Sequence, residues 1–242
     1  MALPVKASHD TPAFDQQTYF FMDSIPPAAL VNEKSYRQYL NALIAGDQRQ
    51  CQEIFEAWFA ANPDLCTLYD GLVQRSLYEV GELWERNQIS VATEHLATAI
   101  SEGLMNLVYP RLFKLPRVGK SAVVACSANE YHQIGGKMVA DIFEANGWRG
   151  YFLGASTSPQ ELLELIQGKR PDVVALSVAV HANLDALLGL TETIRGAFAD
   201  LPILVGGQAF LSGGRERAEQ IAGVHYLASL AELEAWVIRH AG

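Results

Sequence analysis

The chain has 242 residues, half of them hydrophobic and 19% charged, the composition of a globular protein with a core of ordinary size. Its formal net charge of −9 opposes phosphate backbones, and Lys and Arg form no run, which argues against direct nucleic-acid binding. Cys51, Cys66 and Cys126 are odd in number and lack C-x-x-C spacing, which argues against a disulfide framework or zinc site and fits a reducing cytoplasm. Neither a signal peptide nor an apolar run of ~18 residues is visible, so the expectation is a soluble cytoplasmic protein with no membrane segment.

Residues 1–30 mix Pro, Asp, Gln and Ala without a stable period and end at Pro26-Pro27. They are expected to form an arm, with Tyr19, Phe20 and Phe21 as a contact region and no helix-turn-helix pattern. From 31 to 115 the pattern is helical. Tyr39, Leu40, Leu43 and Ile44 recur at helical spacing, as do Ile54, Phe55, Trp58 and Phe59, then Leu68, Leu72, Leu77, Val80 and Leu83, and finally Leu96, Ile100, Leu104, Leu107 and Val108. Asn62-Pro63-Asp64 opens the third helix and Ser90 is placed to cap the fourth. Four helices with short links predict a bundle.

The character changes at 116–119. From 119 to 242 the chain reads as strand 121–126, helix 135–146, strand 149–153, helix 158–167, strand 172–177, helix 183–198, strand 202–205, helix 215–221, strand 224–227 and helix 230–240. This alternation predicts a five-stranded parallel sheet covered on both faces, a flavodoxin-like (Rossmann-like) α/β fold. The fold class is therefore α/β, with a four-helix bundle as an N-terminal cap.

In such sheets ligands bind beyond the C-terminal strand ends, and three of those ends carry unusual residues. The first reads Glu130-Tyr131-His132-Gln133-Ile134-Gly135, the second Ser177-Val178-Ala179, the third Gly206-Gly207. Gly135 and Ser177 enclose 41 residues, and Ala179 and Gly206 enclose 26. The pattern resembles the base-off cobalamin-binding domain of methionine synthase, the mutases and methyl-transferring corrinoid proteins: D-x-H-x-x-G, 41 residues, S-x-L, 26 to 28 residues, G-G. The resemblance implies cobalamin as cofactor, with its cobalt held from below by His132. An imidazole is a good metal ligand, and a carboxylate on its other nitrogen fixes its tautomer; Glu130 takes that part. Gly135, Gly206 and Gly207 would leave room for the nucleotide tail, and Ser177 would bond the tail base. Two positions depart from the pattern. Glu130 replaces Asp, and its longer reach predicts an altered or water-mediated contact with His132. Ala179 replaces Leu, which widens the expected tail pocket.

In the bundle, Trp84 is followed after nine residues by Glu94-His95. This W-x9-E-H resembles the cap of CarH-type light-sensing cobalamin regulators, which implies that Trp84, Glu94 and His95 line the upper face of adenosylcobalamin or hydroxocobalamin. Some members carry a His directly after the Trp that takes the upper cobalt position after light; here Glu85 stands there, and His95, His181 or water would have to substitute. His181 itself is expected to cap the following helix. A cap and binding domain preceded only by 30 unpatterned residues also resembles the AerR/PpaA antirepressors. The expected function is a non-enzymatic light sensor that regulates transcription through a protein partner, a repressor. The alternative is a corrinoid carrier in methyl transfer, and a heme- or bilin-binding variant of the fold is the remaining reading.

Overall fold

The computed structural model describes residues 33–61 and 64–242. The expected N-terminal arm with Tyr19, Phe20 and Phe21, and the Asn62-Pro63 pair, lie outside them. The helical part begins with α1 (Glu33–Ala45) and α2 (Gln48–Ala60). A third, interrupted helix follows: α3 (Leu65–Leu68), a π-helical stretch Tyr69–Gln74, and α4 (Arg75–Glu85). Then come α5 (Val91–Met105), a 3-10 turn at Asn106–Val108 and the single turn α6 (Tyr109–Leu112). Three of the starts are fixed by side-chain caps that satisfy otherwise orphaned amides. Asp47 accepts from Gln50 N at 3.0 Å, Asp64 from Thr67 N at 2.8 Å, and Ser90 from Thr93 N at 3.1 Å.

The α/β part runs β1 (Ser121–Cys126), α7 (Ile134–Ala145), β2 (Arg149–Phe152), α8 (Pro159–Lys169), β3 (Val173–Ser177), α9 (Leu184–Ala197), β4 (Ile203–Gly206), α10 (Arg215–Glu219), β5 (Val224–Tyr226) and α11 (Leu230–Arg239). The sheet is parallel throughout, in the order β2-β1-β3-β4-β5. That order reverses direction between β1 and β3, so the loops leaving these two strands flank the crevice where ligands settle in open α/β sheets. Two 3-10 turns, His181–Asn183 and Gln208–Ser212, stand at the same edge of the sheet; neither was expected from the sequence.

The pleat sorts alternate residues to opposite faces. Val123, Ala125, Val174, Leu176, Ile203 and Val205 pack with α8, α9 and α10. Ala122, Val124, Val173, Ala175 and Leu204 turn to the other face, where they join α7, α11 and the core of the helical bundle in one continuous cluster. The bundle therefore shares its core with one face of the sheet, beside α7.

A buried polar network ties the two parts together. Tyr69 Oη donates to Asp141 Oδ2 at 2.6 Å, and Lys137 Nζ lies 3.3 Å from the same oxygen and 3.2 Å from Tyr109 Oη. Tyr69 belongs to the π-helical stretch and Tyr109 to α6, while Lys137 and Asp141 sit one turn apart on α7. Burial raises the Asp141 carboxyl despite the bonds from Tyr69 and Lys137. The π-helical turn carries an extra residue per turn and points Tyr69 into this junction. Helical periodicity alone read 65–85 as a plain helix.

Candidate functional site

Glu130 is the centre of the site. It follows Asn129, whose backbone is left-handed at φ 63°, in the loop between β1 and α7, and it is completely buried. Its Oε1 accepts from His132 Nδ1 at 2.6 Å and from His132 N at 3.0 Å. Its Oε2 accepts from the amides of Ala179 and Val180, both at 3.0 Å, and from Asn183 Nδ2 at 3.2 Å. One carboxylate thus joins the loop after β1 to the loop after β3, across the point where the sheet order reverses.

The electrostatics follow from this geometry. Burial alone pushes the Glu130 carboxyl up, but the bonds from His132, the Val180 amide and Asn183 outweigh it and hold the group down at about 2. An ionised carboxylate only accepts, so the imidazole donates through Nδ1. The bond to Glu130 raises His132 above its ordinary value; burial opposes the rise, and the charges of Glu130 and Glu94 add to it. His132 Nε2 makes no hydrogen bond among the described residues, and the side chain is half exposed at the end of the sheet. Glu130 therefore does directly what the longer side chain was expected to do in altered form or through water: the contact is direct and short. The extra methylene lets a single carboxylate reach His132 and the Ala179–Val180 amides together.

The other expected residues gather on the same edge. Ser177 is the last residue of β3, and a Cβ on Gly135 would stand 3.0 Å from its hydroxyl oxygen. A Cβ on Gly206 would stand 2.9 Å from the Leu227 carbonyl, and one on Gly207, at φ +119°, would fall onto the Val178 carbonyl. Gly206 and Gly207 admit no larger residue without backbone movement, while at Gly135 the Ser177 hydroxyl would have to give way. From the bundle, Glu94 sits in the first turn of α5, accepts from Thr98 Oγ1 at 3.1 Å and brings its charge to bear on His132. Its neighbour His95 lies 3.5 Å from Glu94 Oε2, but three quarters of its side chain faces solvent. Trp84, at the end of α4, is half exposed. The side-chain contacts of Glu94 are thus Thr98 and His95 within α5, and no hydrogen bond or ion pair joins Trp84, Glu94 or His95 to the strand-end residues among the described residues. His181 does not cap α9, whose start has no side-chain cap; its Nδ1 instead donates to Ala209 O at 3.3 Å, because it belongs to the preceding 3-10 turn.

Several participants gave little sequence signal. The Ala179 and Val180 amides carry no side-chain signature, and Asn183 reads as an ordinary helix-start residue. Gln133, beside His132, donates to Glu102 Oε1 on α5 at 2.8 Å, a bond across 31 residues of chain that no local pattern reveals.

Among the described residues no group of three or more His, Cys, Asp or Glu side chains could hold a metal ion. The comparisons identify the cofactor independently of these residues. A B12 binding domain matches residues 120–232, and a second family of B12 binding domains matches residues 36–109. This chain belongs to the B12-binding proteins. Its cofactor is cobalamin, and the residues present suit that group. Close-approach glycines line the strand ends, a tautomer-fixed imidazole offers one free nitrogen, and Ser177 Oγ has no partner among the described residues. The B12-binding chain is 34% identical over 169 residues to the HTH-type transcriptional repressor CarA of Myxococcus xanthus, covering 69% of this chain and 55% of that one. It is 30% identical over 172 residues to the repressor CarH of the same organism, covering 70% and 56%. It spans about half the length of these curated relatives. The fold is that of the Methanosarcina barkeri monomethylamine corrinoid protein, at a TM-score of 0.72 and 16% identity, over 86% of this chain and 99% of that one.

Proposed function

We propose that this B12-binding protein is a light sensor that regulates transcription through a protein partner, in the manner of an antirepressor, and is not an enzyme. The observation that carries the reading is the bond from Gln133, the neighbour of His132, to Glu102 of the helical cap at 2.8 Å. It brings the cap to the loop that carries the imidazole, and the Tyr69–Asp141–Lys137 network holds the cap against α7. A carrier that hands its cofactor between enzymes needs an upper face that opens; a sensor needs one whose closure depends on what is bound. The likeness to the CarA and CarH repressors supports a role in transcription. The net charge of −9 supports a protein partner in place of DNA.

In this reading, when bound, cobalamin supplies a cobalt–carbon bond that light can break. His132 holds the cobalt through Nε2, and Glu130 keeps the imidazole proton on Nδ1 so that Nε2 stays a ligand. Ser177, Gly135, Gly206 and Gly207 receive the nucleotide tail. Trp84 and Glu94 close the upper face, and His95, exposed beside Glu94, is available to a rearranged cap. A partner senses the chain only through a difference in affinity between the lit and dark arrangements of cap and sheet.

The test is the absorption spectrum of the purified chain with adenosylcobalamin in the dark and after green light, with a promoter-DNA gel shift in parallel. The expected result is a base-off, His-ligated spectrum that changes with light, and no sequence-specific shift. A light-indifferent spectrum removes the sensor reading. Tight sequence-specific DNA binding removes the partner-mediated one, and methyl transfer to a thiol or tetrahydrofolate makes the chain a carrier.

A further inference from the structure

The loop that carries His132 is braced from two sides. On the sheet side, Glu130 Oε1 accepts from His132 N and Nδ1, while Glu130 Oε2 accepts from the loop after β3. On the cap side, the next residue, Gln133, donates Nε2 to Glu102 Oε1 of α5 at 2.8 Å. Tyr69–Asp141, Tyr109–Lys137 and Cys66–Glu234 also join the bundle to the α/β part, but they end within α7 and α11, beyond this loop.

The surroundings of Gln133 confine its side chain. A Cβ on Gly154, at φ +75°, would stand 3.0 Å from Gln133 Oε1, so the carboxamide lies between Glu102 and the loop after β2. A carboxylate oxygen accepts, so the amide presents its nitrogen to Glu102. Both side chains are half buried, and a bond that ends on a charged acceptor is stronger than a neutral one. The backbone carries the constraint onward. His132 and Gln133 share one planar peptide unit, and the Gln133 carbonyl accepts from Lys137 N at 2.9 Å in the first turn of α7. The Gln133 side chain makes no cap to that helix; it is committed to α5.

We infer that Gln133 and Glu102 are positioning residues for the lower cobalt ligand: their bond ties the position of α5 to the placement of the His132 imidazole. Displacing the cap then weakens the cobalt–nitrogen bond, and losing that bond loosens the cap by the same factor, because coupling between two equilibria is reciprocal. The inference rests on the reading in which His132 holds cobalt beneath the cap.

The experiment titrates adenosylcobalamin in the dark into the full-length wild type, Glu102→Ala, Glu102→Gln and Gln133→Ala, each with His132 present and in a His132→Ala background. Melting of each cofactor-free protein checks that it is folded. With His132 present, Glu102→Ala and Gln133→Ala should each weaken binding by about 5- to 10-fold, the scale of one lost bond to a charged acceptor. Glu102→Gln keeps an acceptor oxygen and should stay within about 2-fold of wild type. In the His132→Ala background the same changes should each cost less than about 2-fold, because no cobalt–nitrogen bond remains to be positioned. Gln133→Ala removes no cap bond of α7, so it carries the test if Glu102→Ala folds poorly. Unchanged binding with His132 present, or an equal loss in both backgrounds, overturns the inference. A wild type that binds no cobalamin, or binds it no more tightly than His132→Ala, overturns the underlying reading of the site instead.

Discussion

Replacing Glu130 by Ala is the sharpest perturbation of the site's framework. The carboxylate is wholly buried and accepts five hydrogen bonds. The imidazole of His132 is half exposed and can turn to water, and Asn183 sits near the surface, so neither is stranded. The His132, Ala179 and Val180 amides lose their acceptor, but all three bonds are only part-buried and water can replace it, so each costs about 1 kcal/mol. The total of about 3 kcal/mol is about 10 °C in melting temperature for a chain of this size. The cofactor-free protein, melted by circular dichroism, should show this loss. Cobalamin affinity should fall by a further 10- to 100-fold, the usual effect of removing the partner that orients a metal-binding imidazole. Glu130→Asp should be intermediate, because the shorter side chain reaches either His132 or the β3 loop but not both. A Glu130→Ala protein that melts within about 1 °C of wild type would refute the account of Glu130 as the bond between the two loops; a loss above about 1 kcal/mol must show as several degrees.

Three further outcomes follow from the same structure. Burial, with Asp64 adding, raises the Asp70 carboxyl from 3.8 to about 6, and its Oδ1 is buried without a partner. A raised acid is bound to its proton more tightly when folded, so stability falls as pH rises from about 4 through 6, by about 3 kcal/mol in all; Asp70→Asn should remove most of that fall in urea melts taken from pH 4 to 7.5. Lys137→Met leaves the buried Asp141 bonded only to Tyr69 and should cost about 3–5 kcal/mol, while adding Asp141→Leu should recover part of it, because breaking a buried pair costs more than replacing it; urea midpoints decide. Trp84→Ala, at a half-exposed position, should change stability by less than about 1 kcal/mol yet speed photolysis of bound adenosylcobalamin or lower the preference for its upper group; if neither moves, Trp84 has no part in the upper face.

Much of this architecture was legible because it is periodic. Alternating apolar runs and helical repeats marked all five strands and the helices between them, and Ser90 announced the start of α5 by its side-chain chemistry alone. The strand-end residues were legible for a different reason: Glu130, His132, Ser177, Gly206 and Gly207 stand at fixed separations that a parallel sheet converts into one edge. What stayed hidden was long-range or carried by the backbone. The Ala179 and Val180 amides are common to every sequence, Gln133–Glu102 and Tyr69–Asp141 join residues far apart in the chain, and the π-helical turn differs from a regular helix by a single bond pattern. The reach of Glu130 was misjudged because the sequence shows its length but not the two amides that pull its second oxygen into place.

The claim on which the account rests is that His132 holds the cobalt. Its most direct test is the electron paramagnetic resonance spectrum of the protein loaded with cob(II)alamin, prepared once with natural histidine and once with ¹⁵N-histidine. A histidine ligand splits each cobalt line into a triplet that becomes a doublet on labelling, and His132→Ala should abolish both. A triplet that survives labelling, or persists in His132→Ala, would show that the nitrogen on the cobalt belongs to the cofactor's own base or to another residue, and would contradict the account.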